Sequence, residues 1–287
     1  MIATLEKFVG DIALQVLVLL ALFAVASVFE RRHPIEPGQS GSEIVLDYKL
    51  GATTFALIQA FAPVSGLIVA MVVSMAGGGL ITLREDGWWF PLSFAVVILS
   101  IELQGYWLHR LQHCVPFLWS MHSLHHSAEA MTMATGARHY WVEQTIMAAF
   151  LPIVAMVFKI PHEILRFVPY FYLTEYVAHL NAKVPFGPLM LVFNNPQFHR
   201  IHHSVEPKHH NKNFCKNLPI FDVVFGTAWV PGKDEFPRTG LATREKPAGL
   251  IEGLVWPLRH FPVVRRLFGS IPEDTQTIGT TSSSQPR

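Results

Sequence analysis

Two stretches early in the chain carry no Asp, Glu, Lys or Arg: residues 12–29 and 51–76. As helices rising 1.5 Å per residue they would be about 27 and about 39 Å long, against a hydrocarbon layer of about 30 Å, so each can span a bilayer. Pro63 predicts a kink in the second, and Gly77, Gly78 and Gly79 predict its end. A third run, 88–108, opens on Trp88 and Trp89, residues suited to a membrane interface. It holds one charge, Glu102, which makes that residue a functional candidate. Residues 144–158 and 167–178 are shorter apolar pieces separated by Lys159, Pro161 and Arg166, and they read as a helical hairpin that crosses or dips into the membrane. The predicted fold class is all-α, a polytopic membrane bundle of about four spans under a histidine-rich helical cap.

Composition strengthens the membrane reading: 51% of the 287 residues are hydrophobic and 15% charged. A formal net charge of +1 without a basic face excludes nucleic acid as a natural partner. Cys114 and Cys215 are too few for a disulfide framework or a zinc finger and fit reducing exposure or burial. Glu6 and Lys7 roughly cancel ahead of the first apolar run, whereas a cleavable signal peptide wants a basic start, so this run is expected to remain. With four spans, Lys7, Arg84, Lys159 and Arg166 fall on one side and the other 18 of the 22 basic residues on the histidine side. The positive-inside rule then makes the histidine side and the C-terminus cytosolic and the N-terminus external. The expected organisation is 1–87 as N-terminal membrane helices, 88–232 as the catalytic region, and 233–287 as a cytosolic segment whose Ser/Thr-rich end, 270–287, is expected to be disordered.

Histidine changes the picture most, because 13 of the 15 lie between His109 and His210. His109 and His113 are four apart at the end of the third run, which puts both imidazoles on one helical face. His122, His125 and His126 follow with spacings of three and four that again share one helical face, and His199, His202 and His203 repeat that claw after the hairpin. Eight imidazoles without interleaved carboxylates favour iron, zinc or copper over magnesium or calcium, and are too many for one ion. His179, with Glu175 one turn earlier as its orienting acceptor, is a further candidate ligand, and so is His139. His209 and His210, among Lys208 and Lys212, read as solvated loop; His162 lies on the far side, and His33 reads as a headgroup contact. Asn181, Asn213 and Asp222 read as cap-building or turn residues.

Taken in order, the His-x3-His of His109, the His-x2-His-His of His122, Arg138-His139, His179-x-Asn181 and the His-x2-His-His of His199 are followed by Asn213-Phe214, Phe221-Asp222 and Phe225-Gly226-Thr227. Over roughly 88–231 this series resembles the fatty acid hydroxylase superfamily, also called the sterol desaturase family. The resemblance implies a membrane enzyme that uses two iron ions, dioxygen and external electrons to hydroxylate or desaturate a lipid such as a sterol, fatty acyl chain or ether lipid. Zinc can replace iron in such sites on purification. Asn213-Phe214-Cys215 stands where the family often has Asn-Tyr-Gly, and Phe221 where it often has Trp; both departures bear on substrate and subfamily, not on a proposed ligand. No cytochrome b5-like stretch is present, so a separate ferredoxin- or cytochrome b5-like donor is expected, and a homodimer is compatible with the pattern. Two other classes suit the residues: a zinc-dependent membrane lipid hydrolase, which lacks the support of a His-Glu-x-x-His helix, and a non-catalytic metal-binding membrane protein.

Overall fold

The computed structural model describes residues 2–184 and 186–260; the tail expected at 270–287 lies outside them. The chain is mostly helical. Helix α1 is Ile2–Arg32 and α2 is Gly41–Met75; a two-residue strand β1, Ile81–Thr82, leads to α3, Trp89–Cys114. Then come α4 (Pro116–His126), α5 (Trp141–Ala148), α6 (Leu151–Val157), β2 (Phe158–Lys159) and α7 (His162–Val177). Short helices α8 (Pro196–His202), α9 (Ile220–Val224) and α10 (Leu250–Leu254) belong to the cap. By length and composition, α2 and α3 can each cross a membrane.

The second apolar run is part of a longer helix than its composition suggests. Helix α2 begins ten residues before Gly51 and passes Pro63 without a break. Its first turns are polar and buried. Glu43 accepts the backbone N–H groups of Glu129 (2.7 Å) and Ala130 (3.2 Å), while Asp47 accepts from Arg138 (2.7 Å) and Thr135 (2.8 Å). Beyond Thr54, Phe55, Phe61, Val64, Leu67 and Met71 face outward, as an apolar solvent requires. One helix thus holds the cap at one end and presents an apolar surface along the rest.

The glycines after α2 end it as expected. Gly79 has φ +102° and passes so close to the Phe158–Lys159 backbone that a Cβ would sit 2.6 Å from the Lys159 nitrogen. That approach lets β1 pair in parallel with β2, Ile81 opposite Phe158 and Thr82 opposite Lys159. The far end of α2 is therefore tied to the turn of the hairpin formed by α5, α6 and α7.

The cap core joins Leu46 and Leu50 of α2 to Trp119 and Leu124 of α4 and to Leu241 and Trp256 from the C-terminal segment. Arg138 is fully buried within it, bonded to Asp47, to the Leu124 carbonyl (3.0 Å) and to Ser127 (2.7 Å). Removing one partner of a buried ion pair leaves an uncompensated charge, at a cost of about 3–5 kcal/mol. Asp47→Ala is accordingly expected to lower the thermal unfolding temperature of the detergent-solubilised protein sharply, and the double variant Asp47→Leu with Arg138→Met to lower it less.

Candidate metal centre

Four segments bring their histidines together. The last turns of α3 supply His109 and His113, and Val115-Pro116 turns the chain so that α4 returns His122, His125 and His126 beside them. His179 follows the end of α7. Helix α8 opens on Asn195, whose side chain accepts the N–H groups of Gln197 (3.2 Å) and Phe198 (3.0 Å), and it carries His199 and His202, with His203 at its end.

These nine imidazoles, all buried, form two groups whose ligand-capable atoms lie within 4.8 Å of one another: His109, His113, His122, His126 and His202 in one, and His125, His179, His199 and His203 in the other. Each three-histidine claw was expected to present one face; instead each is divided. At about 100° per residue, positions i and i+4 stay in one stripe while i+3 points to its flank. His122 and His126 enter the first group and His125 the second; His199 and His203 enter the second and His202 the first. The two claws therefore cross-supply the two groups.

The tautomers follow from what the outer nitrogens meet. His109 Nδ1 lies 2.5 Å from the Phe214 carbonyl, His202 Nδ1 2.8 Å from that of Lys212, and His179 Nδ1 2.9 Å from that of Glu175. A carbonyl only accepts, so each Nδ1 carries the proton and each Nε2 keeps a lone pair facing inward. His122 Nδ1 sits 2.8 Å from the Glu143 carboxylate and is fixed the same way. Yet the Nε2 atoms of His109 and His122 are 3.0 Å apart. Among the described residues, the buried Nε2 atoms of His113, His126 and His202 have no hydrogen-bond partner. Two lone pairs at that distance repel unless a cation lies between them. Donors about 2.1 Å from one ion are about 3 Å apart when at right angles, so the spacing fits a shared metal. In the second group, His179 Nε2 lies 3.0 Å from His199 Nε2 and 3.2 Å from His125 Nε2.

Burial also keeps these rings neutral. Desolvation, joined by repulsion from neighbouring imidazoles, holds His125, His126, His199 and His203 well below the ordinary value of 6.5. Burial takes His202 down to about 3 and His179 to about 4, even though their carbonyl partners oppose it. A metal ion needs the neutral form.

The other expected residues fall into distinct places. His139 stacks on His125 at 4.2 Å and lies 3.5 Å from Glu143, with which it and His122 make a third, smaller group. The carboxylate of Glu175 meets Lys216 at 3.1 Å; it is its main-chain oxygen that orients His179. His209 is not solvated: it is buried, bonded to Ser204 (2.8 Å) and Glu235 (3.1 Å), and packed on Trp229, because the loop around it folds back onto the cap. Glu102 accepts the Asn217 and Leu218 backbone N–H groups, each at 3.1 Å, and the Asn217 side chain at 2.9 Å, tying the cap to α3. Asp222 accepts the Phe214 and Cys215 N–H groups, each at 2.8 Å, and so sets the Phe214 carbonyl that orients His109. Asn213, at φ +56°, and Asn181 bond to backbone and build the cap. Glu143, on α5 four residues after His139, was missed as a partner of the histidines.

A cavity of about 370 Å³ lies between α3, α5 and α7 beside the histidines. Ile101, Gly105 and Leu108, Met147 and Ala148, and Val168 and Pro169 form its apolar walls.

Comparison with known proteins agrees with this geometry. The chain is 32% identical over 162 residues to alkylglycerol monooxygenase of Caenorhabditis elegans and 30% identical over 154 residues to that of Xenopus tropicalis. These matches cover 56% and 53% of this chain, which spans only 32% and 34% of the length of those relatives. It is 28% identical over 253 residues to the ornithine lipid hydroxylase OlsE of Rhizobium tropici, covering 84% of this chain and 74% of that protein. No solved structure matches the chain. Residues 94–227 match fatty acid hydroxylase, a stretch that contains every histidine of the two buried groups together with the loops that orient them.

Proposed function

We propose that the protein is a multi-pass membrane oxidoreductase that uses dioxygen and a pair of iron ions to hydroxylate or desaturate a lipid. The observation that carries this reading is the set of neutral, buried imidazoles whose inward lone pairs face one another at about 3 Å, with no proton between His109 and His122 to relieve them. His109, His113, His122, His126 and His202 would hold one ion, and His125, His179, His199 and His203 the other, with His139 alongside as a further donor. All-nitrogen donors suit iron, and nine of them leave coordination positions open on two ions. Bound iron would supply the reductive activation of dioxygen, with two electrons from a separate donor protein and two protons from solvent: hydroxylation puts one oxygen atom into a C–H bond and releases the other as water, and desaturation releases both as water.

The chain's own residues bind, orient and exclude. The apolar cavity along α3 receives part of the lipid and keeps water from the reacting carbon. Glu143 holds the His122 ring and, through Gln112 at 2.6 Å, the adjoining stretch of α3. The carbonyls of Phe214, Lys212 and Glu175 fix the rings of His109, His202 and His179. The β1–β2 pairing supports a hairpin that crosses the bilayer, since it joins the hairpin's turn to the far end of α2. Four spans then put the cap in the cytosol and the N-terminus outside.

Detergent-purified protein reconstituted with ferrous iron is expected to hold about two irons per chain, as nine nitrogen donors shared between two ions imply. His122→Ala and His202→Ala should each lose iron, and after chemical reduction the wild type should take up oxygen only when lipid is added. Metal-free protein, or one zinc insensitive to both substitutions, would exclude the di-iron reading. Glu143→Gln is expected to weaken metal binding by about 10–100-fold while leaving the fold intact, measured by chelator competition. For the topology, Glu85→Cys should react with a membrane-impermeant maleimide in intact cells and Lys183→Cys only after permeabilisation; the reverse pattern inverts the orientation.

A further inference from the structure

The cavity adjoins a smaller chamber beside the histidines. Gln112, Gln144, Glu175 and Lys216, with Met147 and His109, border both spaces and form a mostly polar neck between them. Lys216 comes from the cap loop and Glu175 from α7, and they meet at 3.1 Å across that neck. Their side chains keep 27% and 19% of their surface exposed, although both border the cavity. An ammonium has three N–H donors, and among the described residues Glu175 is the acceptor that Lys216 meets.

An alkyl chain threaded through this neck would displace water from the remaining N–H groups and return no hydrogen bond, which is costly in a confined apolar site. A lipid oxygen at the same place would accept a charge-assisted bond. The geometry along α3 sets the direction. From Ile101 to His109 the helix rises only about 12 Å, so the cavity accommodates a short part of a lipid and the rest of the tail stays in the bilayer. A lipid in its ordinary orientation has its tail toward the membrane and its headgroup toward the cap. The groups that reach the neck are then those nearest the headgroup.

We propose that Lys216 and Glu175 select lipids in which an oxygen-bearing polar group lies within a few bonds of the carbon to be oxidised, and that Lys216 donates a hydrogen bond to that oxygen. This rests on the lipid-oxidising reading above. Lys216 is a specificity-determining residue in this scheme, and Glu175 positions its ammonium. A neutral glycerol ether and an amino-acid-bearing headgroup both offer such an oxygen, and the test separates them.

The experiment is equilibrium displacement of radiolabelled 1-O-hexadecylglycerol from the purified full chain in nanodiscs, with unlabelled 1-O-hexadecylglycerol, an ornithine lipid and hexadecane as competitors. At least one of the two polar lipids should displace the label about tenfold more effectively than hexadecane, and the better of the two identifies the headgroup class. If the label does not bind, direct binding of labelled ornithine lipid replaces it. Lys216→Met should abolish the preference by weakening polar-lipid binding about tenfold without weakening hexadecane. Lys216→Arg should retain most of the preference. Hexadecane competing as well as both polar lipids in the wild type overturns the proposal without reference to any variant, as does an unchanged preference in a folded Lys216→Met protein. Iron content and lipid-dependent oxygen uptake are measured on the same preparations. Loss of those with the preference intact would overturn the oxidase reading and leave the neck in place, whereas two irons and oxygen uptake without any preference would do the opposite.

Discussion

Crowding neutral imidazoles into a buried space with their lone pairs turned inward is unfavourable for the protein alone. Each polar atom left without a partner costs about 1–3 kcal/mol, and His113, His126 and His202 each bury such a nitrogen. The facing pair His109 and His122 adds direct repulsion at 3.0 Å. A cation would remove both penalties at once, so on the proposed reading metal binding would be thermodynamically coupled to the folding of the cap. The outward hydrogen bonds are what make this arrangement possible. Without the carbonyls of Phe214, Lys212 and Glu175, the rings could rotate or change tautomer and satisfy one another.

Those carbonyls must themselves be held, and the work falls to buried carboxylates distributed along the chain. Asp222 fixes the loop at Phe214, and Glu102 grips the next residues, Asn217 and Leu218, from within α3. At the other side of the cap, Glu43 and Asp47 of α2 hold the segment after α4. Glu30 of α1 accepts the N–H groups of Met133 (2.8 Å) and Asn181 (2.9 Å), reaching the chain on both sides of the hairpin. Three apolar helices thus carry acidic residues whose partners lie in the cap. An acidic side chain in such a helix is expensive unless it is met by donors, and these donors make the expense useful by fixing the cap's position on the bundle.

Much of this was legible in the residue order. The spacing of His109 with His113, and the two three-histidine claws, pointed to histidines that the fold gathers into two buried groups, because helical geometry restricts where such side chains can stand. What spacing could not convey was the division of each claw between two groups, since it depends on how α4 and α8 are rotated relative to each other, a tertiary property. The main-chain acceptors were invisible for a simpler reason: every residue has a carbonyl, and nothing in a side chain marks the three that are used. Glu143 carried a signal in its four-residue distance from His139. The start of α2 was hidden because the polar residues Glu43 and Asp47 look like the end of an apolar helix when their cap partners are unknown.

The histidine side chains and the cavity share α3, and that sharing links chemistry to the bilayer. Leu108 lines the cavity and His109, its neighbour, points to the histidines; one turn earlier Gly105 leaves open space where another residue would project into the void. A single rigid helix therefore fixes the distance between the apolar walls and the nitrogens. Helices α5 and α7, which close the cavity, are tied to the cap by other means: α5 through Glu143, and α7 through Glu175 with Lys216. Loosening either would alter the width of the neck before it disturbed α3. On the proposed reading, control over which carbon reaches the histidines would reside in the helices opposite α3, while the histidines themselves are carried by α3, α4, α8 and the end of α7.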